Sequence, residues 1–160
     1  MDLSIVIPAF NEASKIRGDI AAGADFLCAQ GLCGEIIVAD DGSADGTADQ
    51  AAQTRVPASV ALHVLTLPHR GKGHAVRAGV RASCARVVLC VDSGGCTPLP
   101  NALQAIEWIR AGSCQIAVGS RRMATSCIRR RQTLHRRISS ALLRRVVRWI
   151  LPSLRGLSDT

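Results

Sequence analysis

The sequence predicts an α/β fold: a mostly parallel sheet with helices on both faces. Three observations predict it. Short apolar segments alternate along the chain with longer amphipathic ones. The apolar segments are continuous rather than alternating, which is the pattern of strands buried on both faces. A polar stretch follows each of the first four of them, glycine-bearing after the last three, where ligands of open α/β sheets bind. In 160 residues with a hydrophobic fraction of 48% there is material for one domain core. With two Phe, two Trp and no Tyr, that core must be built from Val, Ile, Leu and Ala.

Residues 3–8 (LSIVIP) open the sheet. A helix over 12–30 follows, because Ile16, Ile20, Ala24 and Leu27 recur at helical spacing. The second strand is 35–39, and the second helix 44–54. The third strand is 61–65 and its helix 72–83. The run 87–91 (VVLCV) is a fourth strand, residues 100–111 a fourth helix and 115–118 a fifth strand. There are no internal repeats and no low-complexity linker. The composition changes near Arg121. Residues 1–120 carry nine basic and eleven acidic side chains, and 121–160 carry eleven and one. The net charge of +8 therefore belongs to the second segment. The expected division is a core domain, 1–120, and an Arg-rich segment, 121–160.

The N-terminus has no basic region before its short apolar stretch, so it does not read as a signal peptide. No run reaches the ~18 apolar residues of a spanning helix. Seven cysteines, none in a C-x-x-C pair, read as reduced thiols in a cytoplasmic protein. They are expected to behave as small buried hydrophobes.

The strand-end stretches are PAFNE, DDGSADGT, PHRGKGHA and DSGG. The second resembles a calcium loop at Asp41, Ser43, Asp45 and Gly46, but the bidentate Glu needed at position 12 is replaced by Ala52. A strand-to-helix turn capped by Ser43 or Asp45 explains part of it. It does not explain Asp40 beside Asp41, whose repulsion must be offset by a ligand or by donors. The third stretch lacks the spacing of a Walker loop, and no G-x-G-x-x-G is present. Gly71 and Gly73 still permit close approach of backbone to a ligand, and Lys72 at a helix start suits a phosphate. A plain glycine turn with an exposed lysine is the commoner meaning of such a stretch.

Taken in order, SIVIPAFNE, IIVADDGSADGT, HRGKGHAVRAG and VVLCVD resemble family 2 glycosyltransferases of the GT-A, Rossmann-like fold. The likeness is nearest to the polyprenyl-phosphate (dolichyl-phosphate) sugar transferases. It extends through GSRRM at 119–123 to the terminal SDT. It implies that Pro8, Asn11 and Glu12 lie along a UDP- or GDP-linked sugar, with Glu12 near the ribose. Asp40 or Asp41 would accept a hydrogen bond from the base. Lys72 would sit near the diphosphate. Asp92 matches the first Asp of the family's Asp-x-Asp motif, which holds the ribose and, through Mg²⁺ or Mn²⁺, the diphosphate. Gly94 stands where the second Asp belongs, so metal affinity is expected to be weakened, with Arg70, Lys72 or the Arg-rich segment as alternative carriers of the phosphate charge. Restoring the carboxylate by Gly94→Asp is expected to raise metal-dependent nucleotide affinity. The resemblance makes Asp159 the candidate general base and implies an acceptor-side half beyond residue 160, so the chain is expected to be C-terminally truncated.

In 121–160, a helix would gather Ile138, Leu142, Val146, Trp149 and Ile150 on one side and Arg130, Arg137, Arg144 and Arg148 on another. Such a basic amphipathic helix suits an anionic membrane surface; a solvated Arg face packed on the sheet suits the pattern equally. Nucleic acid is disfavoured by the scarcity of aromatic residues. The expected activity is inverting transfer of a sugar from a nucleotide sugar to polyprenyl phosphate, in the cytoplasm or at the cytoplasmic membrane face. The alternatives are a non-catalytic nucleotide-sugar-binding module and a membrane-surface interaction protein.

Overall fold

A computed structural model describes residues 1–95 and 98–119. Residues 1–117 form one compact unit. Its order is β1 (Leu3–Ala9), α1 (Ile16–Ala29), β2 (Gly34–Asp40), α2 (Thr47–Ala52), β3 (Val60–Thr66), α3 (Lys72–Ala82) and β4 (Val88–Cys90), then a 3₁₀ turn, Leu99–Ala102, leading into α4 (Leu103–Arg110). The sheet runs β3-β2-β1-β4 and every pairing is parallel.

The strand residues sort by parity. Leu3, Ile5, Ile7, Ile36 and Val38 join Ile16, Ile20, Ala24 and Leu27 of α1 in one buried cluster, which also takes Ala51 of α2. Val6 and Ile37, of opposite parity, are fully buried too, on the side where α3 packs against β1 and β2. The closest approach there is at Gly79. A Cβ on Gly79 would stand 2.4 Å from Cγ1 of Val6, so the helix rests on the strand through a missing side chain.

Glu35 is the one acidic residue inside this core whose place gives no hint in the sequence. It is 1% exposed. Its Oε1 accepts from Ser4 Oγ at 2.5 Å and from the Cys84 N–H at 2.7 Å. Ser4 Oγ in turn accepts from the Ala85 N–H at 3.2 Å. A buried carboxylate must find donors, and these donors tie the α3–β4 connection to β1 and β2.

The register sets the rim. Ala9 pairs with Asp40, and Asp40 with Thr66, so three strands end level. On the other side of β1, Cys90 pairs with Val6, which brings residue 92 to the same edge. The chain turns one way from β1 to β2 and the other way to β4. The crevice between β1 and β4 is therefore the switch point of the sheet.

Four of the five expected strands form, each within two residues of its expected ends. The fifth does not: residues 115–119 are irregular, and Ile116 and Val118 are 80% and 84% exposed. The last strand before them, β4, is only three residues long and forms the edge of the sheet. Among the described residues the expected burial of the cysteines is also overturned. Cys28, Cys33, Cys84 and Cys90 are exposed thiols, and Cys114 is intermediate. They lie at helix ends, in connections and on the edge strand, where little packs over them. The amphipathic helix expected in 121–160 falls outside the described residues. Among the described residues no helix is long and apolar enough to cross a membrane.

Two helix glycines give opposite expectations. Gly79→Ala should cost about 1–3 kcal/mol, because Val6 is too stiff to yield. Gly18→Ala in α1, with nothing within 4 Å of the added methyl, should gain about 0.5–1 kcal/mol. Urea unfolding of the two variants checks both signs.

Candidate functional site

The first two rim loops are zipped together by side chains. Asn11 sits at φ 53, a left-handed conformation that Asn tolerates better than most residues. Its N–H donates to Ser43 Oγ at 2.9 Å, and its Oδ1 accepts from the Ala44 N–H at 3.1 Å. The Glu12 N–H donates to Thr47 Oγ1 at 2.9 Å. The Ala13 N–H donates to Asp45 Oδ2 at 3.0 Å. Asp45 Oδ1 also takes the N–H of Thr47, the first residue of α2. The Thr47 hydroxyl, then the Ala13 amide, hold the Asp45 carboxyl below the usual carboxylate range.

The adjacent aspartates at the end of β2 are reconciled by donors from two sides. Asp40, 1% exposed, takes both the N–H and the hydroxyl of Ser43 within its own loop. Asp41, 2% exposed, turns to the third loop. It accepts from the N–H groups of Arg70 and Gly71 at 3.0 and 2.7 Å, and Nδ1 of His69 lies 2.8 Å from its Oδ2. The Arg70 amide is the strongest influence lowering the Asp41 pKa; burial opposes it, and the Gly71 amide and His69 add to it. Gly42 fits this junction because a Cβ there would meet the His69 nitrogen at 2.9 Å, and its φ is +75.

Above the junction a cavity of about 370 Å³ opens at the switch point, lined by Pro8, Ala9, Phe10, Glu12, Asp41, His69, Gly71, Lys72, Ala75, Asp92 and Ser93. Of the expected site residues, Pro8, Glu12, Asp41, Lys72 and Asp92 meet here. Asn11 and Asp40 do not line it, being committed to the loops beneath. Asp159 lies outside the described residues. Lys72, the first residue of α3, places Nζ 2.5 Å from Asp92 Oδ1 across the mouth. Both side chains are more than half exposed, so the pair holds a position more than it stabilises the fold. Glu12 binds Lys15 at 2.5 Å.

Three contributors escaped sequence reasoning. Phe10 and His69 stack with ring centroids 4.2 Å apart and 22° between planes, an aromatic wall; its only signal was an aromatic directly after a strand. The third is Asp19 in the first turn of α1. Its carboxylate accepts from Ser93 Oγ at 2.6 Å and from the N–H groups of Gly94 and Gly95. Partners 74 to 76 residues away leave no local trace. Gly94 and Gly95 take φ +94 and +61, so both amides turn toward Asp19.

The model of glycosyl transferase family 2 matches residues 4–156. The chain belongs to this family. It is 31% identical over 134 residues to the dolichyl-phosphate beta-glucosyltransferase of Mus musculus, covering 78% of this chain and 40% of that protein. The protein of that name in Drosophila melanogaster is 34% identical over 137 residues, with 76% and 41% covered. Glycosyltransferase AglD of Haloferax volcanii is 28% identical over 127 residues, with 77% and 20% covered. The chain thus spans about two fifths, or less, of the length of these relatives.

An Asp at position 94 would adopt φ +94, a conformation L side chains rarely take, and would disturb the amides held by Asp19. Backbone strain therefore opposes the Gly94→Asp substitution. Nor do the residues present fit a protein-held divalent cation. Asp92 is already paired with an ammonium, Ser93 Oγ is spent on Asp19, and among the described residues no three His, Cys, Asp or Glu gather as a metal-binding group.

The Asp41 clamp predicts a pH dependence. Its folded-state pKa is lowered from 3.8, so its contribution to stability is complete above about that pH and is lost as pH falls through the lowered value. Asp41→Asn should be less stable than the parent near neutrality, and the gap should close below about pH 3.8. Urea midpoints measured across that range check it; a gap independent of pH would mean that the clamp does not depend on charge.

Proposed function

We propose that this chain carries the donor-binding domain of a glycosyltransferase that moves a sugar from a nucleotide sugar to polyprenyl or dolichyl phosphate. The observation that carries the proposal is the cavity at the switch point, with Lys72 and Asp92 at its mouth, in a chain of glycosyl transferase family 2. The names of the relatives support a dolichyl-phosphate acceptor and a glucosyl donor.

In this reading the nucleotide lies between the Phe10–His69 wall and the end of β1. The base stacks on the exposed aromatic faces. The glycine-bearing start of α3 lets the backbone come close to the diphosphate, and Lys72 brings positive charge to it. The acceptor oxygen attacks the anomeric carbon in line as the bond to the diphosphate breaks, which inverts the configuration. Charge develops on the leaving diphosphate, so a fixed cation beside it lowers the barrier. The resemblance assigns the general base to Asp159. The eleven basic residues of 121–160 support an acceptor met at an anionic membrane surface, on its cytoplasmic side.

Transfer of labelled glucose from UDP-glucose to dolichyl phosphate in detergent tests the proposal, with GDP-linked donors run in parallel. Lipid-linked sugar is expected, and Lys72→Met should slow its formation about 10²-fold. Folded protein that binds nucleotide but makes no product would reject catalysis by this chain.

A further inference from the structure

We infer that Lys72 takes the place of a divalent cation at this site, so that the chain grips a nucleoside diphosphate without a metal ion. The inference rests on the donor-binding reading above and specifies how the phosphates are held.

Three observations converge on it. The first is the ion pair: Lys72 Nζ stands 2.5 Å from Asp92 Oδ1, and both residues line the cavity. An ion ligated by Asp92 would have to displace this ammonium or stand beside it against like-charge repulsion. The second is the backbone of the loop after Asp92. Gly94 supplies no carboxylate, and its N–H donates to Asp19 at 2.9 and 3.1 Å. The Ser93 hydroxyl and the Gly95 N–H close on the same carboxylate. The loop is thus folded away from ligating a cation and onto an internal anion. That arrangement holds Asp92 at the mouth, where its Oδ1 takes the Lys72 ammonium. The third is accessibility. Lys72 is 63% exposed and Asp92 57%, so the pair is weak enough to open when a phosphate arrives. A lysine ammonium binds phosphate as a point charge. Here it is anchored at the first turn of α3, beside the glycines that admit the ligand.

The test is calorimetric binding of uridine and guanosine diphosphates to the full chain. One arm contains excess EDTA and the other millimolar Mg²⁺ or Mn²⁺. The parent should bind its nucleotide with affinities that agree within about threefold between the arms, less than the tenfold that 1.4 kcal/mol represents. Lys72→Met should weaken binding in EDTA by about tenfold or more, while Lys72→Arg keeps most of it. Binding by the parent only when the ion is present overturns the inference and leaves the donor-binding reading standing. So does a Met variant that binds as tightly as the parent in EDTA. Failure of every nucleotide in both arms overturns the inference and the donor-binding reading together.

Discussion

The rim of this domain depends on one constraint: a carboxylate removed from water must be met by donors. β2 ends in two aspartates that are almost wholly buried. Neither can stay charged there alone. Asp40 is met from within its own loop and Asp41 from the loop before α3. The repulsion between neighbours is thereby turned into a device that fixes two loops against each other. Asp45 extends it to the loop after β1, and Asp19 repeats it at the loop after β4. Four loops that follow four strands are each held by a carboxylate accepting backbone N–H groups. The cavity is the space those loops leave between them.

This division of labour separates acidic residues that build from acidic residues that face a ligand. Asp40, Asp45 and Asp19 spend their oxygens on backbone and hydroxyl groups. Glu12 and Asp92 make their contacts with lysine ammonium groups, at the cavity. Asp41 does both, clamping amides while lining the cavity floor. An ion pair at the mouth exchanges partners more readily than a network under the floor. Lys72, which lines the cavity, is therefore well placed to move when the cavity fills.

Much of the fold was legible because burial on both faces writes continuous apolar runs, as in residues 3–8 and 35–39. The periodicity of Ile16, Ile20, Ala24 and Leu27 likewise marked α1. What failed was the part that depends on neighbours distant in sequence. Residues 115–118 have strand-like composition, yet no strand of the sheet pairs with them and Ile116 and Val118 stand exposed. Cys28 and Cys90 stand in apolar stretches, yet an edge and a helix end leave them uncovered. At the site, strand-end position brought the four polar loops to one edge, and the family resemblance singled out Pro8, Glu12, Lys72 and Asp92 within them. The roles of Asn11 and Asp40 were not legible, because the same residue types that recognise ligands also staple loops. Asp19 and Glu35 were invisible, since a helix or strand carboxylate carries no sign of partners tens of residues away.

The central claim is that carboxylates clamp the rim loops before any ligand arrives. Amide hydrogen exchange on the ligand-free chain tests it most directly, read at Ala13, Thr47, Arg70, Gly71, Gly94 and Gly95. These loop amides should exchange far more slowly than unstructured backbone, because each donates to Asp41, Asp45 or Asp19. Exchange at the rate of unstructured backbone at Arg70 and Gly71 would contradict it.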